Sequence, residues 1–379
     1  MIHKSINSFP FTLIIRNRRA LDRGFIPEQL VDREAELEAL RRIMRPMLRE
    51  RLPSHAFVYG GVGVGKTTLV RFFMRDVEGV RKIYHSCLWA RSSKDIILAI
   101  LKEAGRKIPS LRGYSRGEMM ALVARASRGV HSLLVLDEAN ALLGEAMEFL
   151  EALLREQPGG GFSIILVSLN PPDQVLSRPL LSVLGYASSV QLRPYDAKTL
   201  REILRQRAEL SLVPGTWDEG LLELIAESAA SYGDARLAIE ILQRAAERAE
   251  ALGRGSVEPE DVREAMAKIN PFLTESKLSE LPDGELMALL AVARALRGRA
   301  VASLRQVYEE YQGLAEEGLA EAASYSTIHR RILSLAEAGI LSVRKVGERR
   351  KGVRLLVTIM DFPATRLEEL IMQRLKSEA

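Results

Sequence analysis

The chain has 379 residues, of which 47% are hydrophobic, 6% aromatic and 27% charged, and its formal net charge is +5. These values exclude a disordered or low-complexity protein and suit two or three globular domains. The apolar runs are too short for a membrane span, and the single cysteine, Cys87, excludes an internal disulfide, so we expect a cytoplasmic protein without a membrane partner.

Residues 1–20 show no periodic pattern and carry several arginines, so we predict an N-terminal arm that becomes ordered by docking on another surface. A helix is predicted over 32–47 because apolar residues recur there at helical spacing. Asp32 is the expected N-cap of this helix. Pro46 lies inside the pattern and is expected to kink the helix or end it.

A glycine-rich stretch follows a short apolar run at 55–59 and precedes an apolar helical run at 69–74. It matches G-x-x-x-x-G-K-[ST], the phosphate-binding loop between a strand and a helix. Glycines allow backbone N–H groups to turn inward around phosphate oxygens, and the helix N-terminus adds further donors. The predicted nucleotide-binding residues are Gly61, Val62, Gly63, Val64, Gly65, Lys66, Thr67 and Thr68.

Two of these residues have specific predicted roles toward ATP or ADP and Mg²⁺. Lys66 is expected to reach the β and γ phosphates, and the Thr67 hydroxyl is expected to ligate Mg²⁺. The alternative, a flexible glycine turn without a ligand, does not account for the flanking strand and helix.

Next, the pattern predicts a strand over 82–88 that buries Cys87, and helices over 95–104 and 116–127. The following apolar run at 132–136 suits a strand covered on both faces by helices. Asp137 and Glu138 come directly after this strand, at the edge where ligands bind in open α/β sheets. Asp137 is predicted to hold Mg²⁺ through water, and Glu138 is predicted to orient or polarise the attacking water. The alternative is a helix-capping acidic pair.

A fourth strand is predicted over 162–168, and Asn170 follows it at the same edge of the sheet. Asn170 is a candidate for donating to the γ phosphate or positioning the water. The alternative is an ordinary Asn-Pro turn. A strand over 188–192 completes the alternation of strands and helices.

Four helices are predicted next, over 198–211, 218–232, 235–252 and 259–269. Asp234 is a suitable N-cap for the third of them, which places Arg236 in its first turn. A cation is unfavourable at that end of the helix dipole unless it faces an anion, so Arg236 is predicted to point at a phosphate. A solvated surface arginine is the alternative.

The last part of the chain reads as three helices over 284–297, 303–312 and 326–338, followed by β-rich runs over 340–346 and 352–359. Three helices and a hairpin make the winged-helix plan, in which the third helix contacts DNA. The positive charge on the hairpin suits phosphate neutralisation, although a solvated edge hairpin is the alternative. The predicted DNA-binding residues are Ser326, Thr327, Arg330, Arg331, Ser334, Arg344, Lys345, Arg349, Arg350 and Lys351.

This succession resembles the AAA+ ATPases and, within them, the archaeal initiators of the origin-recognition and cell-division-control type. The resemblance covers nearly the whole chain. It includes the segment 25–34 before the base domain, Asp137-Glu138 as the second ATPase motif and Asn170 as the first sensor. It also includes 194–197 as the hinge and 233–236 as the second sensor. By this resemblance, Tyr195 and Arg207 contact the nucleotide from the junction of base and lid.

The resemblance implies an α/β fold with an AAA+ parallel-sheet base domain, an all-α lid and a C-terminal winged helix. The expected divisions are an arm at 1–20, the base at 21–195, the lid at 196–271 and the winged helix at 272–379. One departure concerns the arginine finger, which the family places in an Asp-Pro-Arg-like segment. Here 176–180 reads Leu-Ser-Arg-Pro-Leu, so Arg178 is only a displaced candidate, and Ala139-Asn140 also differs from the usual pair. We therefore expect slow ATP hydrolysis.

The resulting hypothesis is an ATP-controlled, nucleoid-associated initiator that binds origin duplex DNA and recruits a replicative helicase of the MCM type. Two alternatives stay open. One is a clamp-loader-like or repair-associated AAA+ motor, and the other is a DNA-binding regulator that uses ATP only as a switch. The sequence leaves open the DNA bases that are read and the choice between monomer and multimer.

Overall fold

The structure is a computed structural model that describes residues 13–106, 110–269, 278, 281–348, 352–359 and 362–378. The chain forms two compact units. One contains Gly24–Tyr195 with Gly233–Ala235, and is called the nucleotide unit below. The other contains the described residues of Met1–Arg23, Asp196–Tyr232 and Arg236–Ala379, and is called the lid and winged-helix unit. No helix among the described residues is long and apolar enough to cross a membrane.

The nucleotide unit is built on a parallel sheet with strand order β2-β3-β4-β1-β5. Its strands are β1 (His55–Tyr59), β2 (Arg81–Ser86), β3 (Ser132–Asp137), β4 (Phe162–Ser168) and β5 (Ser189–Gln191). Its helices are α1 (Glu34–Ile43), α2 (Arg45–Glu50), α3 (Lys66–Asp76), α4 (Ser93–Glu103), α5 (Arg116–Ala126), α6 (Gly144–Glu156), α7 (Pro172–Val175) and α8 (Arg178–Leu184). The strand order places β1, with the glycine loop after it, between β4 and β5.

The sheet is covered on both faces, as the apolar run of β3 predicts. Leu134 and Leu136 pack into one core with residues of α4, α5 and α6. Leu133 and Val135 pack into a second core with residues of α1, α2 and α3. This division follows from the two-residue period of a strand, which sends alternate side chains to opposite faces.

The start of the first helix corrects one prediction. The N-cap of α1 is Arg33, and Asp32 has a φ of 51°, in the left-handed region, so Asp32 is not the cap. The helix ends at Ile43, and Pro46 lies in the first turn of α2. That position confirms the expected interruption at Pro46, because proline is tolerated in a first turn, where its missing N–H has no helical partner.

Two further differences concern the middle of this unit. Cys87 is fully buried as predicted, but β2 ends at Ser86, so Cys87 lies one residue beyond the strand. Helix α6 was not predicted, although its buried residues Ala146, Phe149, Leu150 and Leu153 have helical spacing. This spacing is sufficient to predict the helix from the sequence.

The lid is the helical part of the second unit, and its helices agree with the predicted pattern. They are α9 (Ala197–Ser211), α10 (Glu219–Ala230), α11 (Ala235–Ala251), which begins in the nucleotide unit, and α12 (Pro259–Ile269). The described end of the N-terminal arm docks on these helices. Ile14 and Ile15 are buried, and both of their backbone N–H groups donate to Glu250 Oε1, at 2.9 and 2.8 Å.

The winged helix contains α13 (Asp283–Ala295), β6 (Ala302–Ser303), α14 (Leu304–Glu316), α15 (Tyr325–Glu337), β7 (Ser342–Glu348), β8 (Gly352–Thr358) and α16 (Ala364–Glu378). Its antiparallel sheet has the order β6-β8-β7. The predicted helices and hairpin are present, whereas β6 and α16 were not predicted. Leu367 and Ile371 of α16 lie in the same core as α13, which explains why this helix belongs to the domain.

One buried arginine connects lid and winged helix within this unit. Arg263 of α12 is fully buried and donates to the carbonyl groups of Ile359, Arg299 and Ala300 at 3.1, 2.8 and 3.1 Å. It also pairs with Glu260 at 3.3 Å. A buried arginine needs such acceptors because its charge has been removed from water.

Candidate nucleotide-binding site and nucleic-acid surface

The glycine-rich loop connects β1 to α3 and has a backbone that side chains would obstruct. Gly60, Gly63 and Gly65 have φ values of 153°, 71° and 92°. A Cβ atom at Gly60 would lie 2.4 Å from the Leu192 carbonyl oxygen, and one at Gly65 would lie 2.5 Å from the Tyr195 hydroxyl. The loop therefore needs glycine at these positions for both conformation and space.

Lys66 is the first residue of α3 and is 4% exposed. Its Nζ donates to the carbonyl oxygens of Gly60 and Gly61, at 2.9 and 2.6 Å. The ammonium group is thus held across the loop at a helix N-terminus, where the partial positive charge of the helix adds to its own. This is a surface on which anionic groups are stabilised.

Asp137, the last residue of β3, is 4% exposed and accepts hydrogen bonds from two neighbouring elements. The Thr67 hydroxyl of α3 donates to Asp137 Oδ2 at 2.8 Å, and the Tyr84 hydroxyl of β2 donates to the same oxygen at 2.5 Å. Thr67 and Asp137 are both predicted to hold Mg²⁺, and the structure places their side chains in contact. Tyr84 is not among the residues predicted from the sequence, and its pKa is raised by burial and by the nearby Asp137 carboxylate.

Glu138 has a φ of 56° and a half-buried side chain. A left-handed conformation at a residue other than glycine costs about 1–3 kcal/mol and is found preferentially at functional sites. Its backbone N–H donates to Asp137 Oδ1 at 3.0 Å, so both oxygens of that carboxylate accept hydrogen bonds.

The tips of β3 and β4 are joined by Asn140, a residue noted in the sequence only as a departure from the family pattern. Asn140 Oδ1 accepts from the Leu169 N–H at 3.3 Å. Asn170 is exposed at the end of β4, and its backbone N–H donates to the Ser168 hydroxyl at 3.1 Å. The structure therefore brings Asn170 to the strand edge that also carries Asp137.

Tyr195 is 7% exposed and lies against the glycine loop through its hydroxyl, beside Gly65. The Arg33 guanidinium stacks over its ring at 3.9 Å from the centroid. Arg33 also donates to the Arg193 carbonyl at 2.7 Å and to the Val64 carbonyl at 3.2 and 3.3 Å. Arg33, which is not among the predicted site residues, thus connects the glycine loop to the segment before Tyr195.

The segment 233–235 belongs to the nucleotide unit and contacts the glycine loop directly. The Ala235 N–H donates to the Gly63 carbonyl at 3.1 Å, and a Cβ at Gly63 would collide with the Asp234 carboxylate. Arg236 is the next residue and lies in the first turn of α11. Residues 233–235 of the predicted second-sensor segment are thus in contact with the glycine loop.

Two other predicted arginines differ in their exposure to solvent. Arg207, in the lid, is 6% exposed, and its Nη1 donates to the Ala20 carbonyl at 3.0 Å. Burial lowers the pKa of Arg207 to about 10. Arg178, the displaced arginine-finger candidate, is the exposed first residue of α8.

The oxygens of Thr67 and Asp137 fit the requirements of Mg²⁺. This ion prefers hard oxygen ligands and is usually held by one or two protein groups together with substrate phosphates. Among the described residues, no group of three or more His, Cys, Asp or Glu side chains could hold a metal ion by itself. A site completed by phosphate oxygens is therefore the arrangement that these residues suit.

The third helix of the winged helix, α15, has one buried face and one polar, largely exposed face. Ile328, Ile332 and Leu335 are buried in the domain core. Ser326, Arg330 and Ser334 are exposed, and Thr327 is half-buried. Arg331 is half-buried and donates to the Tyr311 hydroxyl at 3.0 Å, so its guanidinium is engaged inside the domain.

The described cations of the hairpin differ in their surroundings, because one of them forms ion pairs within the protein. Arg344 Nη1 pairs with Glu227 of α10 at 2.7 Å and also with Glu223. The bond from Arg344 lowers the pKa of Glu223, whereas burial raises the pKa of Glu227. Lys345 is exposed. Arg349, Arg350 and Lys351 lie outside the described residues.

Comparison with protein-family models divides the chain into three matched regions. Residues 49–176 match the AAA domain, 201–267 match the Cdc6 AAA+ ATPase-type lid domain, and 276–364 match the CDC6 C-terminal winged helix domain. The matched regions follow the order base, lid and winged helix.

Relatives with curated names cover nearly the whole chain. The chain is 31% identical to ORC1-type DNA replication protein 1 of Aeropyrum pernix over 358 residues. The alignment covers 89% of this chain and 90% of that protein. Among solved structures, Cdc6p of Pyrobaculum aerophilum has a TM-score of 0.84 at 27% identity, covering 96% of this chain and 99% of that one.

Two A. pernix structures are also similar to this chain. The ORC1 protein in complex with DNA has a TM-score of 0.62 at 28% identity, covering 95% of this chain and 97% of that one. The ORC2 protein in ADPNP-ADP complexes has a TM-score of 0.60 at 26% identity, covering 96% and 99%. Together with the glycine loop, the Thr67–Asp137 pair and the winged helix, these likenesses show that the chain belongs to the ORC1/Cdc6 family of AAA+ ATPases, the DNA replication initiators of archaea.

Proposed function

We propose that this nucleotide-binding ATPase uses ATP to control its grip on origin duplex DNA and that it helps recruit a replicative helicase of the MCM type. The observation that carries the nucleotide part is the 2.8 Å contact between Thr67 and Asp137 beside the glycine loop. The DNA part rests on the exposed polar face of α15 in the same chain. A relative solved in complex with DNA supports this part.

Within the nucleotide site, the proposal gives each residue a defined role. The loop N–H groups and Lys66 bind the β and γ phosphates, and Lys66 stabilises the charge that develops during transfer. Thr67 and Asp137 would hold Mg²⁺, which supplies further neutralisation of phosphate charge. Glu138 orients the attacking water and accepts its proton.

The remaining predicted contacts complete this proposal. Asn170 positions the water or donates to the γ phosphate, and Arg236 adds a cation for the phosphates. Tyr195 and Arg207 are the proposed nucleotide contacts of the hinge and lid. Because Arg178 is displaced from the family's usual position, we expect slow turnover.

The domain division at 20, 195 and 271 is part of the same proposal, with residues 272–379 as the DNA-binding part. Arg330 and Ser326 of α15 would face the duplex, together with Lys345 and the hairpin cations. Phosphate contacts by Lys and Arg release counterions, so binding should weaken steeply with salt. Arg330→Ala should therefore reduce the salt slope of binding by about one unit.

The test is footprinting on origin and random duplex DNA with ATP or ADP present. We expect protection of origin sites that depends on the nucleotide, and loss of that dependence in a Lys66→Ala, Asp137→Ala chain. Equal protection of origin and random DNA would remove the origin assignment. Unchanged protection by the variant in all nucleotide conditions would remove the ATP control.

A matched control is Lys102→Ala, because Lys102 is an exposed lysine in α4. It should retain nucleotide-dependent protection. Helicase recruitment needs a separate measurement, in which the MCM-type helicase is retained on origin DNA only when this protein and ATP are both present. Equal retention without the protein would contradict that part of the proposal.

A further inference from the structure

Tyr84 is a polar side chain in the nucleotide unit that the roles above do not use. It lies in β2, the edge strand that pairs with β3, and its backbone is in register with Val135. Its hydroxyl nevertheless reaches Asp137, two residues further along β3, and donates to Oδ2 at 2.5 Å. A half-buried tyrosine that spans this distance to a buried carboxylate needs an explanation.

The oxygen that Tyr84 contacts is also the oxygen that receives the Thr67 hydroxyl, at 2.8 Å. The other oxygen, Oδ1, accepts from the Glu138 N–H at 3.0 Å. The carboxylate is therefore held at both ends, and its rotation about the side-chain axis would break at least one of these hydrogen bonds. Of the two side-chain donors that the described residues offer to Asp137, Tyr84 is the one that is not itself an expected Mg²⁺ ligand.

The ring of Tyr84 is packed against a cationic side chain of α3. The Arg71 guanidinium lies 4.2 Å from its centroid, at the distance of a cation–π contact. Arg71 follows Thr67 by four residues in α3, so both side chains lie on the same face of that helix. One helix thus supplies the hydroxyl that meets Asp137 and the cation that packs on Tyr84.

We propose that Tyr84 is a positioning residue that holds Asp137 Oδ2 beside the Thr67 hydroxyl, so that the pair is prepared for Mg²⁺ when the nucleotide binds. This inference rests on the proposed nucleotide site and names a residue that sets its Mg²⁺ requirement. Residues that orient metal ligands typically contribute about 10- to 100-fold to metal affinity or activity.

The decisive variant is Tyr84→Phe, because phenylalanine keeps the ring, its burial and its contact with Arg71 while removing the hydroxyl. The measurement is binding of a fluorescent ATP analogue to the full-length protein, first in EDTA and then with increasing Mg²⁺. We expect the affinity of Tyr84→Phe for the nucleotide in EDTA to be unchanged. The Mg²⁺ concentration that gives half of the Mg²⁺-dependent increase in nucleotide affinity should be about tenfold higher than in the parent protein. A purely structural role would leave the Mg²⁺ dependence unchanged, and that result would overturn the inference.

Two further variants separate the possible failures. Tyr114→Phe is the matched control, a half-buried tyrosine packed against the core of the same unit, and it should bind like the parent protein. Lys66→Ala should lose affinity both in EDTA and with Mg²⁺. If Lys66→Ala binds normally, the proposed nucleotide site is wrong. If Lys66→Ala loses affinity but Tyr84→Phe, like Tyr114→Phe, behaves as the parent protein does, the positioning role alone is wrong.

Should Tyr84→Phe prove unstable, Arg71→Gln offers a second route, because it removes the cation from the ring without changing β2. It should shift the Mg²⁺ dependence in the same direction and by less. A shift in the opposite direction would contradict the proposed role of the stacked pair.

Discussion

Asp137 and Arg263 are both buried charged residues, but their partners differ in kind. Asp137, in the nucleotide unit, accepts from two side-chain hydroxyls and one N–H. Arg263, in the lid and winged-helix unit, donates to three backbone carbonyls and pairs with Glu260. Hydroxyls can reorient when a cation arrives, whereas backbone carbonyls are fixed by the fold. The first arrangement suits a ligand site and the second suits a permanent joint.

The surroundings of Glu260 support this distinction. Its Oε1 accepts from the backbone N–H and the hydroxyl of Thr365, at 3.0 and 2.7 Å, in the first turn of α16. A carboxylate at a helix N-terminus is stabilised by the helix dipole. Glu260 and Arg263 therefore hold α16 and the carbonyls near β6 and β8 to the same lid helix.

The largest effect should come from breaking the joint. Arg263→Met keeps most of the side-chain volume but removes the cation that pairs with Glu260 and a donor to three carbonyls. The Ala300 and Ile359 carbonyls retain the Thr358 hydroxyl as a donor. We expect the free energy of unfolding to fall by about 3–5 kcal/mol. Urea unfolding followed by circular dichroism measures it. Arg299→Met is the matched control, because that side chain is exposed and should change stability by less than about 0.5 kcal/mol. Similar losses in both variants would contradict the comparison.

Asp137→Asn should have the opposite profile, with a large effect on turnover and a small one on stability. It keeps the shape of the side chain but removes the charge that would face the proposed Mg²⁺, so we expect ATP hydrolysis to fall by about 100- to 1,000-fold, or about 3–4 kcal/mol in the barrier. Steady-state phosphate release and urea unfolding on the same samples compare the two effects. A loss of stability comparable with that of Arg263→Met would show that Asp137 is structural.

A smaller, pH-dependent effect should arise at the other end of the sheet. His55 Nδ1 accepts from the Ile164 N–H at 3.2 Å, which requires the ring to be neutral there. Burial, and then the nearby His131, lower the pKa of His55 from 6.5 to about 4. A lowered pKa for a base means that its stabilising contribution is complete above pH 6.5 and is lost as the pH falls toward 4.

We therefore expect His55 to lower the free energy of unfolding by about 1.4 kcal/mol between pH 7.5 and pH 5.5. The His55→Gln variant should show a flatter dependence over this range, measured by urea unfolding at several pH values. His329→Gln in α15 is the control and should keep the parent slope. If the free energy of unfolding of His55→Gln depended on pH as steeply as that of the parent protein, His55 would not be the source of the acid sensitivity.

The smallest effect concerns the hairpin. If Arg344 is a DNA contact, its pairing with Glu223 and Glu227 competes with phosphate. Changing both glutamates to glutamine should then strengthen DNA binding a few-fold and steepen its salt dependence by about one unit. Glu34→Gln with Glu38→Gln alters the net charge equally at exposed sites of α1 and serves as control. A salt slope that does not change would mean that Arg344 only joins the hairpin to α10.

Much of the fold was predictable because its signals are local. The order of strands and helices, the glycine loop and the residues at the ends of β3 and β4 all follow from short stretches of chain with a characteristic period or spacing. The interruption at Pro46 is equally local, since it depends on the ring of that one residue. Helix α6 carried the same kind of signal and could have been predicted.

What the sequence alone determined is therefore most of the elements, without β6 and α16, and the residues at the ends of strands. Tertiary structure decided which polar groups face one another. Tyr84 and Arg33 contact residues of the site that are remote from them in sequence. Asp32 does not cap its helix because its backbone is in the left-handed conformation. Arg331 and Arg344 are engaged by Tyr311, Glu223 and Glu227. The physical reason is that a charge pattern gives the type of a side chain but not its partner, since hydrogen bonds and ion pairs depend on distances of a few ångströms that only packing sets.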